Sequence, residues 1–450
     1  MRLRSILSVL AALPSLVAAQ GPRTTVFTNV TVVPMDREQL LPNHTVVIEG
    51  QRIIAVGPSS DVRIPQGAVR IEGRGKYLMP GLGEMHAHIP PGQATDADIE
   101  KVLAYFALNG VTTVRGMLGA PRHLDYRERA ARGELLSPTI YTTGPSFNGN
   151  SAPTAEVAIR MVTEQKSAGY DLLKIHPGIR REVYDSIAAA AARFSIRLVG
   201  HVPLDVGLER VLHHRQASLD HVDGFLEALV RDGSPVAATQ SAFFGANLVG
   251  HVDESKLPAL VALARASGTW IVPTQTLFES MAGPETPEAL AQRPEMKSWP
   301  ASTVAQWVQA TANTRNQLGL TEEQGRQMNL LRRRIMKALY DGGVPFLLGS
   351  DAPQWWNVPG FSVERELAAM VRAGFTPYQA YEMGTRNVAR FFGAEREFGL
   401  VAPGLRADLV LLEANPLDDV ANWQRRAGVM VRGKWYDRQD IARRLAELSR

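Results

Sequence analysis

Not one cysteine occurs in this chain of 450 residues, so disulfides, thiolate metal ligands and a thiol nucleophile are all excluded. Any metal must be held by His, Asp, Glu or Lys. There is no dense block of Lys and Arg either. The 49 basic and 45 acidic side chains leave a formal charge of +4, which gives no electrostatic footprint for nucleic acid. A Gly-x-Gly-x-x-Gly fingerprint after the first predicted strand is also missing, which argues against a dinucleotide fold. Beyond residue 19 no apolar run approaches the roughly 20 residues needed to cross a bilayer. No stable membrane insertion is therefore expected.

The first residues read as a leader. Arg2 and Arg4 precede an apolar run over 6–19, interrupted only by Ser8, Pro14 and Ser15, and Val17-Ala18-Ala19 supplies small residues for cleavage. This pattern predicts a secretory signal peptide at 1–19 and a mature chain that is secreted or periplasmic. Losing Arg2 and Arg4 lowers the formal charge to +2. Export without cysteine suits a large domain held by its core rather than by disulfides. Nothing in the composition excludes a homo-oligomer.

From residue 20 the chain has two textures. Short β-rich runs over 25–33, 44–50 and 52–56 are punctuated by Gly, Pro and Asn, and similar runs return at 407–412 and 428–434. They predict one discontinuous β-domain built from both ends, over 20–78 and 395–450. Between them, 79–394 alternates apolar β-branched runs with helical stretches such as 98–108, 155–168, 182–193 and 377–384. Counting the run before His86, eight strands are expected, at 111–115, 139–143, 172–175, 196–200, 218–221, 270–274 and 344–349 besides. Such alternation implies parallel strands with crossover helices, an α/β fold, and eight repeats favour a closed (β/α)8 TIM-like barrel over an open doubly wound sheet. The long polar segment before Val344, with Trp299 and Trp307, reads equally as a lid over the barrel mouth or as extra shielding helices.

In a barrel the chemistry comes from the C-terminal ends of several strands. His86 and His88 follow the first strand at i and i+2, which in extended backbone face the same way. Lys174 lies near the end of the fourth strand, His201 closes the fifth, His221 the sixth and Asp351 the eighth. Each has an ordinary explanation: a snorkelling lysine, hydrogen-bonded core histidines, a helix-capping aspartate. Together, at successive strand ends, they predict a metal site. Burial disfavours the Lys174 ammonium, and its neutral amine can take up carbon dioxide to give a carbamate with two anionic oxygens.

Pro80-Gly81-Leu82 leading to His86-Ala87-His88, the run 110–115, Lys174, Gly200-His201, Asp220-His221, Gly349-Ser350-Asp351-Ala352 and the run 404–410 together resemble the amidohydrolase superfamily. Within it, the chain looks like the imidazolonepropionase-like branch, which includes prolidase-type dipeptidases and N-acyl amino acid hydrolases. The resemblance implies a metal-dependent barrel with a small β-sandwich made by both termini. It also implies two divalent ions, one held by His86, His88 and Asp351 and the other by His201 and His221, with the Lys174 carbamate bridging them. Two positions depart from the family pattern. Glu84 stands where Asp is usual two residues before the first histidine, and Gly116 stands where Asp often follows Val-Arg.

Neutral imidazoles suit zinc, while oxygen ligands extend tolerance to manganese or cobalt. The expected reaction is cleavage of an amide or peptide bond by a metal-activated hydroxide, with Asp351 as both ligand and proton shuttle. Xaa-Pro dipeptides or N-acyl amino acids are the expected substrates. Arg115 could clamp a substrate carboxylate or serve a structural ion pair. His176, two residues after Lys174, could contact substrate or be a solvated loop histidine. Trp355 and Trp356 could stack on a substrate ring or pack the last loop against the helical segment. Two other readings remain: a one-metal cyclic-amide hydrolase or deaminase, and a non-catalytic binding protein on the same barrel.

Overall fold

The computed structural model describes residues 24–449, and the expected signal peptide at 1–19 lies outside the described residues. Strands from both ends of the chain share one eight-stranded sheet. Thr24–Val32, Leu41–Glu49, Arg52–Pro58, Val69–Glu72 and Tyr77–Pro80 come from the first end. Leu409–Leu412, Arg426–Val431 and Lys434–Asp437 come from the other. The seam is antiparallel, with Leu409 opposite Pro80 and Leu412 opposite Tyr77. Phe27, Val46, Ile48, Leu78, Leu409 and Met430 form its apolar core. The expected strand over 428–434 is in fact a hairpin. Arg432 and Gly433 both have positive φ, at 46° and 76°, the conformation that two-residue hairpin loops require.

After Pro80 the chain enters a second kind of sheet, joined only by parallel ladders. Leu82–Ala87, Val111–Gly116 and Thr139–Thr142 form three strands. Leu172–Ile175, Arg197–Gly200, Ser218–Asp220 and Trp270–Val272 form four more. A parallel bridge between Thr143 and Leu172 links the two groups. These strands are almost continuously buried, as expected where helices cover the outside. Leu173, Ile175, Leu219, Ile271, Phe346 and Leu348 belong to the largest core cluster.

The eighth expected strand is not a regular one. Residues 344–349 run extended, but among them only Phe346 makes a bridge, to Ile271. Pro345 has no N–H and contributes its carbonyl alone, accepting from Ile271 N at 2.9 Å. Single bonds carry the rest: Leu347 N donates to Ile271 O, Met85 N donates to Leu348 O, and His88 N donates to Ala352 O. The segment therefore lies between the seventh strand and the first.

Helix boundaries follow their capping chemistry. Thr154 accepts from Val157 N at the start of Ala155–Ala168, which stops at Gly169 in the left-handed region. Thr376 and Gln379 form a capping box on Pro377–Gly384, with Pro377 in the first turn. The polar segment before Val344 is helical, over Gln275–Ala282, Pro287–Ala291, Ala301–Leu318 and Glu322–Asp341. It has its own core of Phe278, Met281, Leu290, Trp307 and Met328, closed by Trp356 and Val358. Among the described residues no helix is long and apolar enough to cross a membrane.

Candidate metal centre and active site

The strand ends converge on a row of imidazoles. Ring centroids are 5.3 Å apart from His88 to His86, 4.6 Å from His86 to His221, 4.7 Å from His221 to His201, and 5.1 Å from His201 to His176. Asp351 faces the first three. Its Oδ1 lies 2.7 Å from His88 Nε2 and 3.5 Å from His86 Nε2, and its Oδ2 lies 3.8 Å from His221 Nδ1. Donor atoms of His86, His221 and Asp351 fall within 4.8 Å of one another, close enough for one cation. All three residues are buried, whereas the His88 side chain keeps 17% of its surface exposed.

Neighbouring groups fix how the rings are turned. Thr274 donates its hydroxyl hydrogen to Pro273 O at 2.8 Å, so its oxygen can only accept from His221 Nδ1, at 2.7 Å. That places the proton of neutral His221 on Nδ1 and leaves the Nε2 lone pair free. His201 Nδ1 likewise faces Asp223 Oδ2 at 3.0 Å. Burial holds His86 and His201 neutral, pushing His86 down to about 4 and His201 to about 3. His221 is also driven well below its ordinary value, by burial first and by His86 and His201 next. Neutral rings with an exposed lone pair are the ligand form of histidine.

Lys174 reaches the same pocket from below. Its side chain is fully buried and Nζ, 3.5 Å from Asp220 Oδ2, makes no hydrogen bond among the described residues. Burial lowers its pKa against the pull of Asp220 and Asp351. His86 Nδ1 stands 3.1 Å from Asp220 Oδ2, but neither atom is aligned for a hydrogen bond. Three buried polar atoms without partners around a set of neutral nitrogens and carboxylate oxygens fit a divalent cation site, because such groups are costly unless something charged completes them.

Two acidic residues that were not among the expected ligands hold the site together, and one of them, Glu84, stands where the sequence placed a supporting acid. Glu84 ties both ligand-bearing loops together: Oε1 accepts from His86 N at 3.0 Å and from Ser350 N at 2.8 Å, and Oε2 accepts from Ser350 Oγ. Burial pushes its carboxyl up to about 7. Asp220 sits between Arg115, Lys174 and His86. Burial alone would raise it, yet Arg115, His86 and Lys174 together hold it well below the usual carboxylate range. A readable signal existed. Arg115 and Asp220 are opposite charges near the ends of two apolar strands, where only pairing makes burial tolerable.

The residues expected to meet substrate divide. Arg115 is not available as a carboxylate clamp. It is 0% exposed, and its donors go to Met85 O at 2.6 Å, Ser218 Oγ at 2.9 Å and Asp220 Oδ1 at 3.0 Å. Trp356 is likewise 0% exposed, donating from Nε1 to Thr311 Oγ1 at 2.9 Å and packing on Trp307. Both take the structural role because their polar atoms find protein partners inside the core. His176 and Trp355 remain half-buried at the rim.

Gly200, directly before His201, has φ +117°, and a Cβ there would lie 2.4 Å from Ile175 O and 2.8 Å from Lys174 Cδ. Gly200→Ala is therefore expected to destabilise the fold by about 3 kcal/mol, read as a lower denaturation midpoint with an unchanged slope.

Comparison with known proteins agrees with this geometry. An amidohydrolase family model matches residues 77–436. An adenine deaminase from Ruegeria sp. (strain TM1040) is 24% identical over 404 residues, covering 88% of this chain and 55% of its own length. The chain thus spans about half the length of that relative. Ochratoxinase from Aspergillus niger is 25% identical over 445 residues, covering 87% of this chain and 82% of its own. A solved bottromycin amidohydrolase superposes with TM-score 0.71 at 23% identity, covering 95% of this chain and 91% of its own. A Xaa-Pro dipeptidase with bound methionine in the active site gives 0.67 at 18%, covering 92% and 100%. At those identities the structural likeness speaks for the fold alone. With a family match extending over most of the sequence, this chain belongs to the amidohydrolase family.

Proposed function

We propose that the protein hydrolyses a carbon–nitrogen bond, in a dipeptide of Xaa-Pro type or an N-acyl amino acid, using divalent cations held at the imidazole row. The observation that carries this reading is the convergence of neutral His86 and His221 with Asp351 beside the unpartnered Lys174 Nζ. His86, His88 and Asp351 are the proposed holders of one ion, and His201 with His221 of a second. Lys174 would bridge them after its amine adds to carbon dioxide and releases a proton. Zinc suits this donor set best, with manganese or cobalt tolerated. Bound cations supply a water of lowered pKa and a polarised substrate carbonyl.

The protein's own groups do the rest. Asp351 is buried with its carboxylate oxygens against His86, His88 and His221. It stays a carboxylate at neutral pH, able to take the proton of the attacking water and pass it to the departing nitrogen. Thr274 and Asp223 orient His221 and His201 throughout. His88 and His176, less buried than the other rings, face arriving substrate.

The one-metal deaminase reading is kept by a specific observation, the adenine deaminase relatives, and the three-residue cluster would by itself hold a single ion. Metal content decides between them, two ions per chain against one, together with turnover of N-acyl amino acids and Xaa-Pro dipeptides against adenine. Chelation should remove activity and added zinc restore it. Retained activity in metal-free protein would end the metal-hydrolase reading. Lys174→Ala is expected to cut kcat at least about 100-fold and to lower metal content, with small carboxylic acids partly restoring both. Full turnover with two ions bound would exclude the bridging role.

Two features of organisation complete the proposal. The seven parallel strands and the extended 344–349 segment close into one ring, supported by the Thr143–Leu172, Ile271–Phe346 and Ala87–Ala352 bridges. The leader at 1–19 would export the enzyme to the periplasm or beyond. A mature N-terminus at Gln20 in the exported protein is the expected result, and an uncleaved cytoplasmic chain the contrary one.

A further inference from the structure

Four aromatic side chains, delivered by three separate parts of the chain, form one cluster that meets the imidazole row through Phe244 and Phe278. Phe244 is 5.4 Å from the His221 ring and 6.0 Å from His201. Phe278 meets Phe244 edge-on at 5.1 Å and lies 6.4 Å from His221. Phe243 lies 5.7 Å from Phe244 and 6.2 Å from Phe278, and stacks on Trp355 at 6.2 Å with planes 16° apart. Phe243 and Phe244 follow the sixth parallel strand, Phe278 lies in the helix after the seventh, and Trp355 lies four residues beyond Asp351.

Three of these rings are not ordinary core filling. Phe243, Phe244 and Trp355 are only half-buried, although each is large and apolar. All three also have left-handed backbone, with φ of 44°, 55° and 32°, a conformation that bulky side chains rarely adopt and that concentrates at ligand-contacting positions. Phe278, by contrast, is fixed. The buried Arg332 guanidinium lies 3.4 Å from its ring centre and is anchored on His221 O, Pro273 O and Gln275 Oε1. One rigid ring and three strained, partly open ones thus form a single aromatic cluster beside His201 and His221.

We infer that this cluster is the seat for an aromatic ring carried by the substrate beside its scissile C–N bond, as in an N-acyl derivative of an aromatic amino acid. The inference rests on the proposed reading of the site as a C–N hydrolase. Offset-stacked and edge-to-face contacts reward a flat π-system over a saturated ring of similar size by about 10-fold. That difference separates a built aromatic seat from a merely greasy rim.

The test compares N-acetyl-phenylalanine with N-acetyl-cyclohexylalanine and N-acetyl-alanine on the full chain. With metal-loaded protein, kcat/KM is expected to favour the phenyl over the cyclohexyl compound about 10-fold, and Phe244→Leu and Trp355→Leu should each shrink that ratio to about 2-fold. Calorimetric titration of metal-free protein with the same compounds supplies a readout independent of turnover, with the same ranking expected. Equal phenyl and cyclohexyl values in wild-type protein, or a ratio that both variants leave intact, would overturn the aromatic seat. If no compound is hydrolysed while phenyl-selective binding persists and the variants lose it, the hydrolase reading fails and the seat stands. Should Phe244→Leu not fold, the wild-type ratio and Trp355→Leu still decide.

Discussion

Asp351→Asn is expected to reduce kcat by about 1,000-fold while leaving the near-ultraviolet circular dichroism of the protein unchanged. Besides weakening the proposed hold of Asp351 on one ion, the substitution keeps the shape of the side chain and removes two things. One is the fixed negative charge that faces His86, His88 and His221. The other is the basic oxygen that would relay a proton to the leaving nitrogen. The backbone at this position has φ 69°, a conformation that Asn tolerates about as well as Asp, so strain gives no competing explanation. A loss confined to KM would point to substrate positioning instead. Retention of more than a tenth of wild-type kcat would remove Asp351 from the proton path.

The second large effect is expected at Asp220, in stability rather than rate. Asp220→Ala strands the Arg115 guanidinium, which is 0% exposed and has no other carboxylate partner among the described residues, and leaves Lys174 beside it. Breaking a buried pair from one side costs about 3–5 kcal/mol. Arg115→Met combined with Asp220→Ala should cost less than Asp220→Ala alone, because the uncompensated charge goes with its partner. The pH dependence has a definite sign. The folded-state pKa of Asp220 lies well below 3.8. Its contribution is therefore complete above the unfolded pKa and drains away as pH falls below it. Asp220→Asn should flatten the acid limb of the stability profile below about pH 4. An unaltered acid limb, or a double variant less stable than Asp220→Ala, would deny the pair its structural role.

Much of this architecture is legible in the sequence where local chemistry decides it. Thr154 with Gly169, and Thr376 with Pro377 and Gln379, set the bounds of their helices through caps that involve only near neighbours. The eighth parallel segment was harder. Its apolar run reads as a strand, yet Pro345 and the turn into Asp351 leave it only isolated bonds to each neighbour. The hairpin at Arg432-Gly433 was hidden for a similar reason. The apolar run Val429-Met430-Val431 reads as a strand that continues into Arg432-Gly433-Lys434, and the positive φ values are what reveal the turn. Arg115 and Trp356 illustrate a different limit. Each residue type suits a binding site, and the partners that satisfy their polar atoms lie far off in the chain: Asp220, 105 residues on from Arg115, and Thr311, 45 residues before Trp356.

The sequence by itself determined the alternating α/β plan, the absence of thiol chemistry and the positions of histidine, lysine and aspartate at strand ends, since each depends on residue type and short-range spacing. Only the tertiary structure decided which buried charges neutralise one another, which nitrogen of His221 is free, and which aromatic rings meet the histidines. Those outcomes depend on distances between residues far apart in the chain. In a low-dielectric interior, a few ångströms separate a satisfied ion pair from a group left open for a ligand.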